Sequence, residues 1–70
     1  MKTDISACDA LQSAIDTAGS QTKLASSLGI SPQAVQQWVN GFRLVPANRA
    51  IEIEILTGVK RELLRPDIFA

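Results

Sequence analysis

The chain has 70 residues, 46% hydrophobic and 20% charged, with seven Lys and Arg set against seven Asp and Glu. Such a chain holds one small domain with a thin core, and it is too apolar and too weakly charged for a disordered tail. Zero net charge weighs at first against a nucleic-acid partner, since such binders usually carry positive charge.

Gly19, Gly29, Gly41 and Gly58 fall where helices should end, and Pro32, Pro46 and Pro66 fall near starts or stops. The first predicted helix runs from Ser6 to Ala18. Ser6 with Asp9 makes a weak capping box, and Leu11, Ala14, Ile15 and Ala18 recur on one helical face. Ser20 caps a second helix, Gln21 to Leu28, with Leu24, Ala25 and Leu28 inward. Gly29-Ile30-Ser31 is a tight connection. Ser31 caps a third helix, and Pro32 takes its first position, where a missing N–H costs nothing. Val35, Trp38 and Val39 form its apolar side, and Gly41 ends it.

Phe42 to Val45 is a loop with apolar content. The segment from Pro46 has two readings. Ala47, Ala50, Ile51 and Ile55 fit one helical face, while Ile51-Glu52-Ile53-Glu54-Ile55 alternates as a half-buried strand would. Helix is favoured by the Pro46 start, the Thr57-Gly58 stop and the helix formers Ala47, Ala50, Glu52 and Glu54. A last turn, Lys60 to Leu64, stops before Arg65-Pro66. The expected fold is all-α, four helices plus a short C-terminal helical turn. The alternative is α+β with a strand at 51–55. The whole of 1–70 is expected to be a single domain.

The informative stretch is Gln21 to Asn40, QTKLASSLGISPQAVQQWVN. Two short helices joined by a three-residue turn must cross steeply and closely. The crossing needs a small residue, which Ala25 supplies, and the turn needs a left-handed one, which Gly29 supplies. Leu24, Leu28, Ile30, Val35 and Trp38 plug the hinge. This is the helix-turn-helix pattern, with 21–40 as its extent. In that geometry helix 32–40 lies in the DNA major groove and offers its outer face to base edges. That face is polar and uncharged: Gln33, Gln36, Gln37 and Asn40, with Ala34 between them. Gln can bond adenine N6 and N7 bidentately, and Ala can touch a thymine methyl. The start of the helix, at Ser31, has N–H groups and dipole suited to a phosphate. The same glutamines also fit a plain solvated face. Gln21 can brace the DNA backbone or simply start its helix. Arg43 and Arg49 flank the motif, where a phosphate role and a solvated role are equally open. Trp38 reads as core, and Cys8 as a small apolar residue with no His to activate it.

The runs AGSQTKLASSLGIS, QAVQQWVNG, VPANRAIEIEILTG and RELLRPDIF make residues 15–69 similar to the Cro-like, YdaS-type regulators of prophages, and 21–40 resembles the helix-turn-helix of the lambda-repressor-like superfamily. The ending is the more specific part. The resemblance implies an all-helical fold, operator binding, and repression in a phage genetic switch or a toxin–antitoxin-like locus. It puts Gln33 and Gln37, with Ala34 beside them, on positions that usually read bases. It puts Gln21, Thr22 and Asn40 on positions that usually touch phosphates. Pro32 stands where relatives often place another polar base reader, so base readout rests on fewer side chains here. Cro-like proteins include forms with a strand-containing second half, which keeps the α+β alternative open.

The expected function is therefore a sequence-specific double-stranded DNA-binding regulator, with Gln33, Ala34, Gln36 and Gln37 toward bases and Gln21, Thr22, Ser31, Asn40 and Arg43 toward phosphates. A homodimer is compatible with this, including one formed only on DNA. A second class is a small helical antitoxin or protein-interaction module, using the loop Phe42-Arg43-Leu44-Val45 and the tail Leu63-Leu64 with Ile68-Phe69. No enzyme is expected. There is no His, one Cys cannot anchor a metal cluster or an intrachain disulfide, and no spacing pairs the carboxylates. No phosphate-cradling glycine loop is present, so no cofactor, metal or small-molecule ligand is expected. Met1-Lys2-Thr3-Asp4 leads into no long apolar run, so neither a signal peptide nor a membrane span is expected, and the location should be a reducing cytoplasm. The zero net charge is unevenly spread: residues 1–20 sum to −2, residues 21–49 to +3 with no acid, and residues 50–70 to −1. This leaves room for DNA while predicting modest nonspecific affinity.

Overall fold

Five helices follow one another among the described residues of the computed structural model: α1 (Lys2–Ala18), α2 (Gln21–Leu28), α3 (Pro32–Val39), α4 (Ala47–Thr57) and α5 (Arg61–Leu64). The structure describes the backbone of residues 2–69 and the side chains of residues 9–69, and there is no strand among the described residues. The all-α expectation holds, and the strand alternative at 51–55 is excluded. Among the described residues, no helix is long and apolar enough to cross a membrane.

One first-helix expectation changes. α1 begins at Lys2, so Ser6 lies within it and does not cap its start. The Cys8 side chain falls outside the described residues. The inward face of α1 is as the spacing predicts, with Leu11, Ala14 and Ile15 buried, Ala10 joining them and Ala18 half-buried. α2 and α3 bring Leu24, Ala25, Leu28, Val35 and Trp38 to the same core, which α4 closes with Ala50 and Ile53 and α5 with Leu64.

α4 corrects the predicted face. Ala50 and Ile53 are fully buried, Ile51 is half-buried, Ala47 is exposed, and Ile55 is 77% exposed. The reason is periodicity. Residues two apart on a helix differ by about 200°, so Ile51, Ile53 and Ile55 cannot share one side. The alternation that resembles a strand places one isoleucine in the core and one in water. Gly58 (φ 80°) closes the helix in the left-handed conformation that Gly adopts without steric cost.

Three arginines tie distant segments together. Arg49 Nη1 donates to the Leu28 carbonyl at 2.9 Å and pairs with Glu52 at 2.7 Å. The guanidinium thus satisfies an orphan carbonyl at the end of α2 and places positive charge at the negative end of its dipole. The Glu54 carboxylate accepts from the Arg61 backbone N–H at 3.1 Å and from its Nε at 2.7 Å, capping α5 where Lys60 offers no side-chain cap. Arg61 also lies over the Phe69 ring, 5.7 Å from its centroid. Arg65 grips Asp67 with both Nε and Nη2, and its Nη1 donates to the Val45 carbonyl at 2.6 Å. That bond pins the loop after α3 to the segment after α5, and the buried Val45 side chain fixes the same point.

These pairs contribute to the response to acid. Hydrogen bonds from Arg61 hold the Glu54 carboxyl below its ordinary 4.5, and those from Arg65 hold Asp67 below 3.8. Carboxyls depressed in the folded state stabilise it fully above their unfolded values, and that stability is lost as pH falls through the folded ones. The thermal midpoint should therefore hold near neutrality and drop below about pH 4.5. Glu54→Gln should make that drop shallower, and an unchanged acid slope would contradict the assignment. Arg65→Ala removes a clasp on a side chain 14% exposed. Urea unfolding should show a loss of about 1.5–3 kcal/mol, the range for hydrogen bonds to charged groups.

Candidate nucleic-acid interface

The geometry of the α2–α3 pair comes from its two caps. Ser20 Oγ accepts from the Lys23 N–H at 3.1 Å and starts α2. At its far end Gly29 adopts φ 75°, ψ 28°, and the Ile30 N–H donates to the Ala25 carbonyl at 3.0 Å. No atom would meet a Cβ at Gly29. Glycine is favoured there by the left-handed backbone and not by crowding. Ser31 then caps α3, its Oγ accepting from the Ala34 N–H at 3.4 Å, with Pro32 in the first turn. The hydroxyl proton of Ser31 is left to donate outward.

Val35 is fully buried and Trp38 is 8% exposed, as the spacing predicts, and they turn α3 so that its opposite side faces water. That side carries Gln33, Gln36, Gln37 and Asn40, all exposed, while Ala34 is half-buried at the edge of the face. At about 100° per residue, Gln33 and Asn40 fall at its centre and Gln36 and Gln37 on its flanks. Gln36 Nε2 donates to Asn40 Oδ1 at 3.3 Å, so these two amides brace each other. Among the described residues no side-chain hydrogen bond engages Gln33 or Gln37, which keep both donor and acceptor for an outside partner.

The other expected positions frame this face. Gln21 is half-buried at the start of α2, and Thr22 beside it is exposed. Arg43 is exposed, makes no ion pair among the described residues, and follows α3 closely, its N–H donating to the Gln37 carbonyl at 3.3 Å. Arg49 departs from the open expectation. Its charge is spent on Leu28 and Glu52, so it fixes α2 against α4 and offers little to a phosphate. The apolar loop also divides. Val45 is buried, whereas Phe42 and Leu44 are 79% and 68% exposed.

The outer face should thus be separable from stability. Gln33→Ala and Gln37→Ala should each leave unfolding free energy within about 0.5 kcal/mol of the unaltered protein, the usual range for surface sites. Arg49→Ala should cost about 1–3 kcal/mol. Denaturant titrations that found Gln37→Ala as damaging as Arg49→Ala would show that α3 is turned differently.

The family described as bacterial toxin YdaS matches residues 11–70. The chain is 48% identical over 52 residues to the "Putative transcriptional regulator YdaS" of Escherichia coli strain K12, covering 71% of this chain and 53% of that protein. It is 38% identical over 61 residues to the Gene 30 protein of Enterobacteria phage phi80, covering 86% of this chain and 84% of that protein. The match therefore spans about half the length of the Escherichia coli relative and most of the phage one. No solved structure matches the chain. With a family match over nearly the whole described region and two relatives above 30% identity, the chain belongs to the YdaS family of prophage regulator-like proteins.

Proposed function

We propose that this chain is a sequence-specific double-stranded DNA-binding transcriptional regulator, a Cro-like repressor of a prophage. It lays α3 in the major groove of an operator, with 1–70 acting as a single helix-turn-helix domain. The observation that carries the reading is the outer face of α3. Four exposed amide side chains stand on one side of a helix packed as the second member of a tight helix-turn-helix pair, and no acid occurs from residue 17 to residue 51. The regulator description of the Escherichia coli relative supports the same role and a non-enzymatic one.

In this reading Gln33, Gln36 and Gln37 bond base edges, with the Ala34 methyl against a thymine, while Gln21, Thr22, Ser31, Asn40 and Arg43 hold the phosphates. Glutamine amides are well suited to adenine, offering a donor and an acceptor to N7 and N6 together. Arg43 and Lys23 supply the charge, since Glu52 offsets Arg49. Few phosphates are neutralised, so nonspecific affinity is low. Pairing of two copies on a symmetric site multiplies the discrimination of each half. The protein acts in the bacterial cytoplasm.

The toxin description of the family favours one second reading, a small helical protein-binding module of a toxin–antitoxin-like locus. A stable protein partner in pull-downs, with no DNA binding, would select it.

Selection from random duplex oligonucleotides should return a defined operator, and gel shifts against excess nonspecific DNA should retain it. Gln37→Ala should relax preference at a single base pair, reducing discrimination there by about 1–3 kcal/mol. No sequence preference at low salt would refute the proposal.

A further inference from the structure

Phe42 is the most exposed large apolar side chain of the described residues, at 79%. It is not loosely placed. Gly41 turns left-handed at φ 79°, and the Phe42 N–H donates to the Gln37 carbonyl at 3.0 Å. Three residues on, Val45 is buried and its carbonyl is held by Arg65. The ring is thus mounted on a short loop tethered at both ends, next to the last turn of α3. Its immediate neighbour is Arg43, and the charged residues of 17–51 are all basic. A polyanion suits that surroundings better than an acidic or neutral protein face does.

Resting on the proposed DNA-binding reading, we infer that Phe42 is a DNA-contact residue, its ring lying against the apolar side of the duplex, a deoxyribose or a thymine methyl, next to the phosphate that Arg43 meets. The chemistry fits the charge distribution. A chain with zero net charge neutralises few phosphates, so its affinity needs a component that does not depend on counterion release. Burying a phenylalanine ring is such a component. It removes apolar surface from water, and its strength does not fall with salt as ion pairing does.

This separates Phe42 from Arg43 in one experiment, operator affinity measured across a salt series with the full chain. Phe42→Ala should weaken binding about tenfold, of the order that ring burial supplies, at every salt concentration. The slope of log K against log salt should stay unchanged. Phe42→Leu should recover part of the loss. Arg43→Ala should instead flatten the slope by about 1. The thermal midpoint of Phe42→Ala should match that of the unaltered protein, because the ring contributes little to the core. Normal operator affinity for Phe42→Ala would overturn this inference alone. So would an altered salt slope, or a fall in assembly size by light scattering that shows the ring to join copies of the chain. Failure of the unaltered protein to bind any duplex would overturn the DNA-binding reading and this inference with it.

Discussion

At the turn between α2 and α3 the chain doubles back on itself, and the Ala25 side chain, a single methyl, sits fully buried there. Its carbonyl accepts the Ile30 N–H, so the same residue both admits α3 and ends α2. Everything outward from this point depends on it. The direction in which α3 leaves the turn decides that Val35 and Trp38 go inward, and hence that the amides of Gln33, Gln36, Gln37 and Asn40 go outward. A larger side chain at Ala25 would push apart the elements packed around it, since packed cores yield by shifting elements.

A small domain buries a limited share of its apolar surface, so contacts between distant segments matter beside packing. The arginines compensate by spanning sequence separations that the helices cannot. Arg49 holds the end of α2 to α4, Arg65 holds the loop after α3 to the segment after α5, and Glu54 draws Arg61 onto the start of α5. Two of these contacts end on backbone carbonyls of the helix-turn-helix or the loop leaving it. The second half of the chain thus works as a brace for the first. The segment RELLRPDIF forms much of that brace, because Arg61, Arg65, Asp67 and Phe69 all take part in it.

The helix-turn-helix was legible because its determinants are local. Ser20, Gly29, Ser31 and Pro32 each act on backbone within a few residues, and the 3.6-residue period of α1 to α3 marks their inner faces. The α4 face was less legible. Five residues of alternation satisfy a strand perfectly, and within a helix they do not reveal which isoleucine turns inward until Ala50 and Thr57 are known to flank Ile53 on the same side. The ion pairs could not be read at all. Nothing in the spacing of Arg49 from Leu28, or Arg65 from Val45, distinguishes an arginine bound to a carbonyl 21 or 20 residues away from one facing solvent or phosphate. The same holds for Phe42, Leu44 and Val45, three apolar neighbours of which one is buried. The outward orientation of Gln33, Gln36, Gln37 and Asn40 follows from the burial of Val35 and Trp38.

The mutual bond of Gln36 with Asn40 is the only side-chain hydrogen bond within the described part of α3's outer face, and none of these amides reaches the core. The fold therefore places almost no constraint on which residues occupy that surface. Substitutions there should leave the scaffold intact, so under the proposed function a lineage could change its target in single steps, each intermediate still a folded protein. In the proposed DNA-reading role, one architecture could thus serve targets that diverge.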